Sequence, residues 1–206
     1  MPLWPFRRVP RAVPLAEIKR FFEQAAGDEQ HYPSAIDERI LHVRVLADFF
    51  APLPGARLAD IGSGKGRFAR IFAARGARVT AVDLSENMLA AARPLDACCA
   101  SMTALPLATG VFDGAYATES LEHAVDIEAA VAELCRIVRP GGRVAIIDKN
   151  RAHWGRFETP VWEQWFGRRQ LTRLLERHCA RVTSRELSYW EDERPDGLFL
   201  AWLAVR

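Results

Sequence analysis

The run Asp60-Ile61-Gly62-Ser63-Gly64-Lys65-Gly66-Arg67 constrains this chain more than any other stretch. An apolar run, Arg57 to Ile61, leads into it, and a helical pattern from Phe68 to Arg75 follows at once. A strand that turns sharply into a helix needs glycine where φ is positive and where a ligand must approach the backbone. Gly62, Gly64 and Gly66 meet that need. A second strand, Arg78 to Asp83, ends some twenty residues later, and a carboxylate at the tip of a neighbouring strand can accept hydrogen bonds from both hydroxyls of a ribose. Together the two features describe a nucleoside site.

The glycine spacing separates two nucleoside chemistries. Dinucleotide enzymes use G-x-G-x-x-G and seat a pyrophosphate on helix N-terminal amides. Here the spacing is G-x-G-x-G, Arg67 follows, and Asp60 precedes the first glycine by two. A carboxylate there repels a pyrophosphate and suits a ligand that carries an ammonium group. The competing role for Asp60 is to order the loop through its backbone amides.

Around this loop, strand and helix alternate, which predicts an α/β fold with a parallel sheet covered on both faces. Glu86 to Ala92 is helical, Ala97 to Ala100 a weak third strand, and Phe112 to Thr118 the fourth. Ile127 to Val138 is a helix and Arg143 to Asp148 the fifth strand, with Pro140-Gly141-Gly142 as the stop between them. Ahead of the first strand, prolines 2, 5, 10 and 14 mark an arm. Leu15, Ile18, Phe22 and Ala25 share one helical face ended by Gly27. A second helix, capped by Ser34, carries the stripe Ile36, Ile40, Val43, Leu46 and Phe50. After Asp148 the expectation is a helix over about Thr159 to Arg177, then strands Val182 to Trp190 and Leu198 to Val205, joined at Pro195-Asp196-Gly197.

Composition narrows the setting. The 206 residues, half of them apolar, suffice for one well-buried core. Lys and Arg total 28 against 26 Asp and Glu, far from the one-sided field of a bulk nucleic-acid binder. Cysteines 98, 99, 135 and 179 lack CxxC spacing and read as reduced, mostly buried thiols, and no metal ligand set is expected. The amino terminus lacks the apolar stretch of a signal peptide and no segment reaches a membrane span, so a cytoplasmic chain is expected.

Four blocks in order then carry a family likeness: Leu58-Ala-Asp-Ile-Gly-Ser-Gly-Lys-Gly66; Val82-Asp-Leu-Ser-Glu-Asn-Met-Leu89; Ala104-Leu-Pro-Leu with Phe112-Asp-Gly-Ala; and Arg136-Ile-Val-Arg-Pro-Gly-Gly-Arg143. Over about residues 55 to 150 the chain resembles class I S-adenosylmethionine-dependent methyltransferases, in particular the group that includes quinone and menaquinone biosynthesis methylases. The resemblance implies a doubly wound Rossmann-like sheet of seven mostly parallel strands, order 3-2-1-4-5-7-6 with the last antiparallel, and helices on both faces. It also implies one methyltransferase domain: arm and lid helices over 1–52, a cofactor core over 53–150, and an acceptor-side helix with the last two strands over 151–206. S-adenosyl-L-methionine is then the cofactor and S-adenosyl-L-homocysteine the product.

By matching position, Asp60 and Gly62 lie against the methionine part, Gly64 belongs to the same cofactor site, Asp83 holds the ribose, and Leu84 and Met88 flank the adenine with Met102 opposite. Ser101 stands where the family often has an acidic residue for the adenine amino group, and its hydroxyl can accept that bond without charge. Glu119 lines the pocket, and Tyr32, beside His31, sits where such enzymes fold a lid. Ligands of open α/β sheets lie beyond the carboxyl ends of the strands, which puts His123 at the mouth of strand four. Its intrinsic pKa suits a general base, although ordering of the loop is an equally physical role. Lys149, ending strand five, either orients an anionic acceptor or is a solvated loop lysine. The aromatic stretch Trp154 to Phe166 suits either a pocket wall or core packing. Arg169, Arg173, Arg177, Arg181 and Arg185 recur every fourth residue and read mainly as a solvated face.

The expected activity is methyl transfer to O, N or C of a small-molecule acceptor, aromatic or lipid-like, by a monomer or homodimer. A non-catalytic S-adenosylmethionine or S-adenosylhomocysteine binder is the alternative. Nucleic-acid methylation is disfavoured, since no Asn-Pro-Pro-Tyr-like motif follows strand four and no RNA-binding block is appended. A nucleotide-dependent oxidoreductase lacks its third glycine, and a thiol or arsenic methylase lacks converging cysteines.

Overall fold

The computed structural model describes residues 10–189 and 196–206. Seven strands, β1 (Arg57–Ile61), β2 (Arg78–Asp83), β3 (Asp96–Cys99), β4 (Phe112–Thr118), β5 (Val138–Lys149), β6 (Arg181–Leu187) and β7 (Phe199–Val205), form one sheet. Their order is β3-β2-β1-β4-β5-β7-β6. The pairs among β1 to β5 are parallel, and β7 runs antiparallel to both neighbours. The expected architecture is therefore the observed one.

Side-chain alternation divides the core. Along β4, Ala115 and Ala117 face one layer while Tyr116 faces the other, the period of two that a strand imposes. The first layer packs α5 (Ile127–Ile137) and α6 (Arg168–Glu176) through Leu134, Leu171 and Leu175 onto β4, β5 and Trp202 of β7. The second packs α2 (Leu41–Phe50) and α3 (Arg67–Ala74) through Leu46, Phe50 and Phe72 onto Leu58 and Tyr116. Helix α4 (Glu86–Ala92) lies against β2 and β3, and α1 (Leu15–Ala25) against α4.

Four expectations are corrected. Ser34 does not cap α2; its amide and hydroxyl both bond to Glu29, and α2 begins only after Ile40. Asp37 stops an earlier start, because its carboxylate accepts from the Arg39 amide two residues on and holds a turn there. The helix over 159–177 shrinks to Arg168–Glu176. Segment 160–167 is instead an extended strap whose amides serve β5 and the loop after β4: Phe166 N donates to Lys149 O at 3.1 Å and Gln164 N to Glu122 O at 2.9 Å. Pro140-Gly141-Gly142 is not a stop but a bulge within β5, where the register to β4 jumps from Val138 opposite Phe112 to Arg143 opposite Gly114. The thiols are not mostly buried: Cys135 and Cys179 are, whereas Cys98 is half-buried and Cys99 exposed, on the thinly covered edge strand β3.

Smaller shifts concern boundaries. β6 stops at Leu187; Trp190 and Pro195 lie outside the described residues, as does the arm up to residue 9. The recurring arginines 169, 173, 177, 181 and 185 are all exposed, as a solvated face requires. No helix among the described residues is long and apolar enough to cross a membrane.

His42 is the polar outlier of the second layer. It is fully buried, both ring nitrogens lack a hydrogen-bond partner, and its ring stands edge-on to Phe199 at 4.7 Å. Burial pushes its pKa down to about 4. Unfolded chains take up a proton near pH 6.5 that the native chain refuses until about pH 4, so the native state loses stability as pH falls through that window. Denaturant melts of His42→Phe against the native chain should show the difference growing in the variant's favour from pH 6.5 towards pH 4, by up to a few kcal/mol. A pH-independent difference would show that His42 is protonated normally.

Candidate functional site

The site grows out of the end of β1. Gly62, Gly64 and Gly66 all adopt left-handed φ, at 73°, 53° and 76°, as the sharp turn into α3 demands. The amides of Gly62 and Ser63 both donate to Val82 O, at 2.7 and 2.9 Å, which lashes the loop to β2. Asp83 completes the tie: Oδ2 accepts from Gly64 N at 2.8 Å and Oδ1 from Ser85 N at 2.9 Å. A carboxylate has about four lone-pair positions, so the group keeps capacity for a ligand hydroxyl beyond its backbone bonds.

Above the loop lies a cavity of about 1020 Å³, open mouth included. All eleven residues expected at the site line it: Tyr32, Asp60, Gly62, Gly64, Asp83, Leu84, Met88, Ser101, Met102, Glu119 and His123. Ser101 and Thr103 share a hydroxyl hydrogen bond of 2.8 Å at its edge. The lining also holds residues that sequence reasoning missed, notably Phe22, Lys65, Arg67 and Ser120. Ser120 fixes the loop after β4 by donating from Oγ to Ile61 O at 2.8 Å, and nothing in a lone serine announces such a bond.

Helix α1 and the turn after it roof the cavity. Glu23 accepts the amides of Glu86 and Asn87 at 2.8 and 3.1 Å, so a residue of α1 satisfies free donors at the start of α4. Lys65 from the glycine loop reaches Glu29 at 2.6 Å, and this contact chiefly drives the Glu29 carboxyl down to about 2. Phe22 stands edge-on to Tyr32 at 5.9 Å and to His123 at 5.0 Å between ring centroids. These rings form an apolar collar.

Charge is unevenly spread around the cavity. Asp60 is 2% exposed and one of its oxygens has no partner. Burial raises its pKa to about 7, against the opposing pull of the Tyr116 hydroxyl beside it. Glu119 pairs with Arg67 at 3.1 Å. Burial works to raise the Glu119 carboxyl, but Arg67, His42 and Lys149 together hold it below its usual range. His123 is pushed down to about 3, first by burial and then by the Lys149 ammonium.

Lys149 fits neither expected role: it does not line the cavity, and its side chain is only 17% exposed rather than solvated. Its ammonium is bound by Glu122 and, at 3.2 Å, by Glu163 of the strap, and it lies 5.8 Å from the Trp165 ring. Ligand atoms of Glu122, His123 and Glu163 come within 4.8 Å of one another, the spacing of a metal site, but the lysine already supplies a cation there. The aromatic stretch divides in the same way. Trp165 and Phe166 are core, and Trp162 buttresses the lid through Phe21 at 5.2 Å.

Residues 59–146 match a family model described as a methyltransferase domain. The chain is 42% identical over 128 residues to the malonyl-[acyl-carrier protein] O-methyltransferase of Salmonella typhimurium, covering 60% of this chain and 47% of that one. It is 31% identical over 124 residues to the demethylmenaquinone methyltransferase of Renibacterium salmoninarum, covering 58% and 52%. The chain thus spans about half the length of these curated relatives. Among solved structures the [4+2]-cyclase SpnF superposes with a TM-score of 0.78 at 17% identity, covering 96% of this chain and 98% of that one, a likeness of fold.

Two loop glycines should respond differently to alanine. At Gly62 a Cβ would stand 2.4 Å from the Ser120 Cβ, which cannot retreat without losing its bond to Ile61 O. At Gly64 nothing lies within 4 Å, so only the left-handed backbone costs, about 1–2 kcal/mol. Thermal melts should show Gly62→Ala less stable than Gly64→Ala by roughly 1–3 kcal/mol. Equal melting would mean that the loop after β4 yields freely.

Proposed function

We propose that this chain, with its methyltransferase domain over residues 59–146, binds S-adenosylmethionine and transfers its methyl group to a small-molecule acceptor. One observation carries the reading: three left-handed glycines, the Asp83 carboxylate and the part-charged Asp60 meet in one cavity beyond the carboxyl ends of β1 and β2. That is the donor set of an adenosine joined to an ammonium-bearing chain, and a pyrophosphate does not fit beside Asp60. In the proposed arrangement Asp83 takes the ribose hydroxyls, and Leu84, Met88 and Met102 enclose the adenine with the Ser101 hydroxyl at its edge. Asp60, Gly62 and Gly64 meet the amino-acid end, with Tyr32 closing over it from the lid.

When bound, the cofactor supplies an electrophilic methyl on a sulfonium. The chain's own contribution is alignment and dryness: Phe22, Tyr32 and His123 form the collar through which an acceptor would approach. His123 is the proposed proton acceptor. It is neutral at physiological pH, but an imidazole pushed down to about 3 is a weak base, which suits an acceptor whose proton becomes strongly acidic as its new bond to the methyl carbon forms. An aromatic or lipid-like acceptor agrees with the collar and with the apolar residues at the mouth, Leu15 and Val125, which are 36% and 44% exposed. In this reading 1–52 is arm and lid, 53–150 the cofactor core and 151–206 the acceptor side of one domain.

A second reading, a binder that does not transfer methyl groups, draws on two observations: the same fold serves a cyclase, and His123 is weakly basic.

Calorimetric titration should give micromolar binding of S-adenosylmethionine and S-adenosylhomocysteine and none of NAD or NADP. Asp83→Asn should weaken that binding about 10- to 100-fold, the range for hydrogen bonds to a charged group. No binding to the native chain would defeat the reading. With an acceptor in hand, His123→Ala should lower kcat about 100-fold or more while leaving cofactor affinity unchanged. Undiminished turnover would leave alignment alone as the mechanism.

A further inference from the structure

Two sulfurs that the proposed reaction does not use meet inside the first core layer. Cys135, near the end of α5, and Cys179, in the turn between α6 and β6, share a hydrogen bond with 3.7 Å between the sulfurs. Cys135 is 1% exposed and Cys179 8%, and both belong to the apolar layer of Leu134, Leu171 and Leu175. The backbone fixes Cys179 from two sides: its amide donates to Leu175 O at 2.9 Å, and the next amide, of Ala180, to Val205 O at 2.8 Å. Cys135 is fixed by α5, past which the carbonyls of Arg136 and Val138 accept from the Arg206 guanidinium.

A buried thiol packs as a small hydrophobe, so the rival role of this pair is inert core packing. Its geometry allows more. Disulfide sulfurs stand about 2.0 Å apart, so closure asks each sulfur to move by less than about 1 Å, a side-chain rotation rather than a movement of helices. The bond between the sulfurs also divides their roles. It is the chief cause that lowers the Cys179 thiol, against burial, and the chief cause that raises the Cys135 thiol, together with burial. The Arg206 guanidinium favours the thiolate at both. Cys179 is thus the first thiolate to form and the less enclosed sulfur, and Cys135 stands behind it as the resolving thiol. Cys98 and Cys99 are disposed differently: successive residues of one strand point to opposite faces, and Cys99 bonds to Leu84 O at 3.4 Å.

We propose that Cys135 and Cys179 are a modification site, a dithiol that a hydroperoxide oxidises to an intramolecular disulfide within the native fold. The Cys179 sulfur attacks one peroxide oxygen, the O–O bond breaks, and the departing hydroxide takes the thiol proton as water, which leaves a sulfenic acid on Cys179. The Cys135 sulfur then attacks the Cys179 sulfur, the S–S bond forms, the S–O bond breaks, and the second water leaves with the Cys135 proton. Two thiols have given up two electrons and the peroxide has taken them. The new bond ties the end of α5 to the corner between α6 and β6 and closes a loop of about 45 residues, which restricts the unfolded chain more than the native one. Nothing in this depends on the cofactor reading.

The experiment exposes the folded native chain to hydrogen peroxide, unfolds it without reductant, alkylates the remaining thiols, and maps the peptides by mass. Cys135 and Cys179 should escape alkylation and appear as one linked pair of peptides, and dithiothreitol should return both as free thiols. The Cys98→Ser, Cys99→Ser double variant repeats the measurement with the pair alone, and a further Cys179→Ala should leave Cys135 fully alkylated. The linked chain should melt about 4–16 °C above the reduced one, the range for a disulfide in a domain of this size. Free Cys135 and Cys179 after the treatment, sulfinic acids in place of the link, or a disulfide between two chains would each overturn the proposal. A linked chain that melts below the reduced one overturns it too, because the bond would then form only by distorting the native packing.

Discussion

Two hydrogen bonds to the Asp83 carboxylate, from Gly64 N and Ser85 N, join the glycine loop to the start of α4 and so hold together the two halves of the cavity floor. The loop can accept that tether only because its glycines reach φ values closed to other residues, and because Gly62 and Ser63 are bonded to Val82 O. Sheet order then matters. With β1 central, flanked by β2 and β4, the crossovers leave opposite faces and a cleft opens where the direction of winding reverses. The cavity sits over that cleft, and its remaining walls are hung from neighbouring strand ends: Leu84 and Met88 beyond β2, Ser101 and Met102 beyond β3, Glu119 and His123 beyond β4.

Behind His123 the chain buries charge that hydrophobic packing alone would not need. Glu122 and Asp148 are almost wholly enclosed and adjacent; burial raises both carboxyls, repulsion from Asp148 raises Glu122 further, and the hydrogen bond with Glu122 and the Lys149 ammonium restrain the rise at Asp148. Lys149 binds Glu122 and Glu163, and Glu163 in turn accepts the Trp165 indole at 2.6 Å. Enclosed ion pairs add little net stability, but removing one partner is costly because the other is stranded. Their effect here is to bind three separate segments, the loop after β4, the end of β5 and the strap, into one fixed wall. The low basicity of His123 is a consequence of living beside that wall.

Helix α1, which roofs the cavity, is attached by a few directed contacts and a cluster of rings rather than by broad packing. Of α1, only Ile18 is buried, and the helix is held by Glu23 at the start of α4, Lys19 with Glu86, and the cluster of Phe21, Phe22, Tyr32 and Trp162. Elements with few buried apolar contacts open at lower free energy than the core, and α1 is such an element.

Much of this was legible in the chain order of residues. The strand pattern, the left-handed glycines, Asp60 and Asp83 announce themselves because each depends on its near neighbours: alternation sets which residues face inward, a tight strand-to-helix turn demands glycine, and a carboxylate at a strand tip is placed by the strand. Locally determined features read well. Three of the corrections lie where a partner outside the segment overruled a local preference. Helical periodicity over 159–167 yields to amides taken by Lys149 O and Glu122 O, the cap offered by Ser34 is diverted to Glu29, and Lys149, placed correctly at a strand end, is turned from the cavity by Glu163, fourteen residues on. Arg67, Ser120 and Phe22 acquire their roles only by meeting residues from other elements. Sequence alone thus determined the strands, the glycine turn and the floor of the cavity, because those follow from backbone sterics and polarity within a few residues, while the strand order followed from the family resemblance. Tertiary structure decided the roof, the charge of its walls and the basicity of His123, because hydrogen bonds and desolvation act through space on groups that the chain keeps far apart.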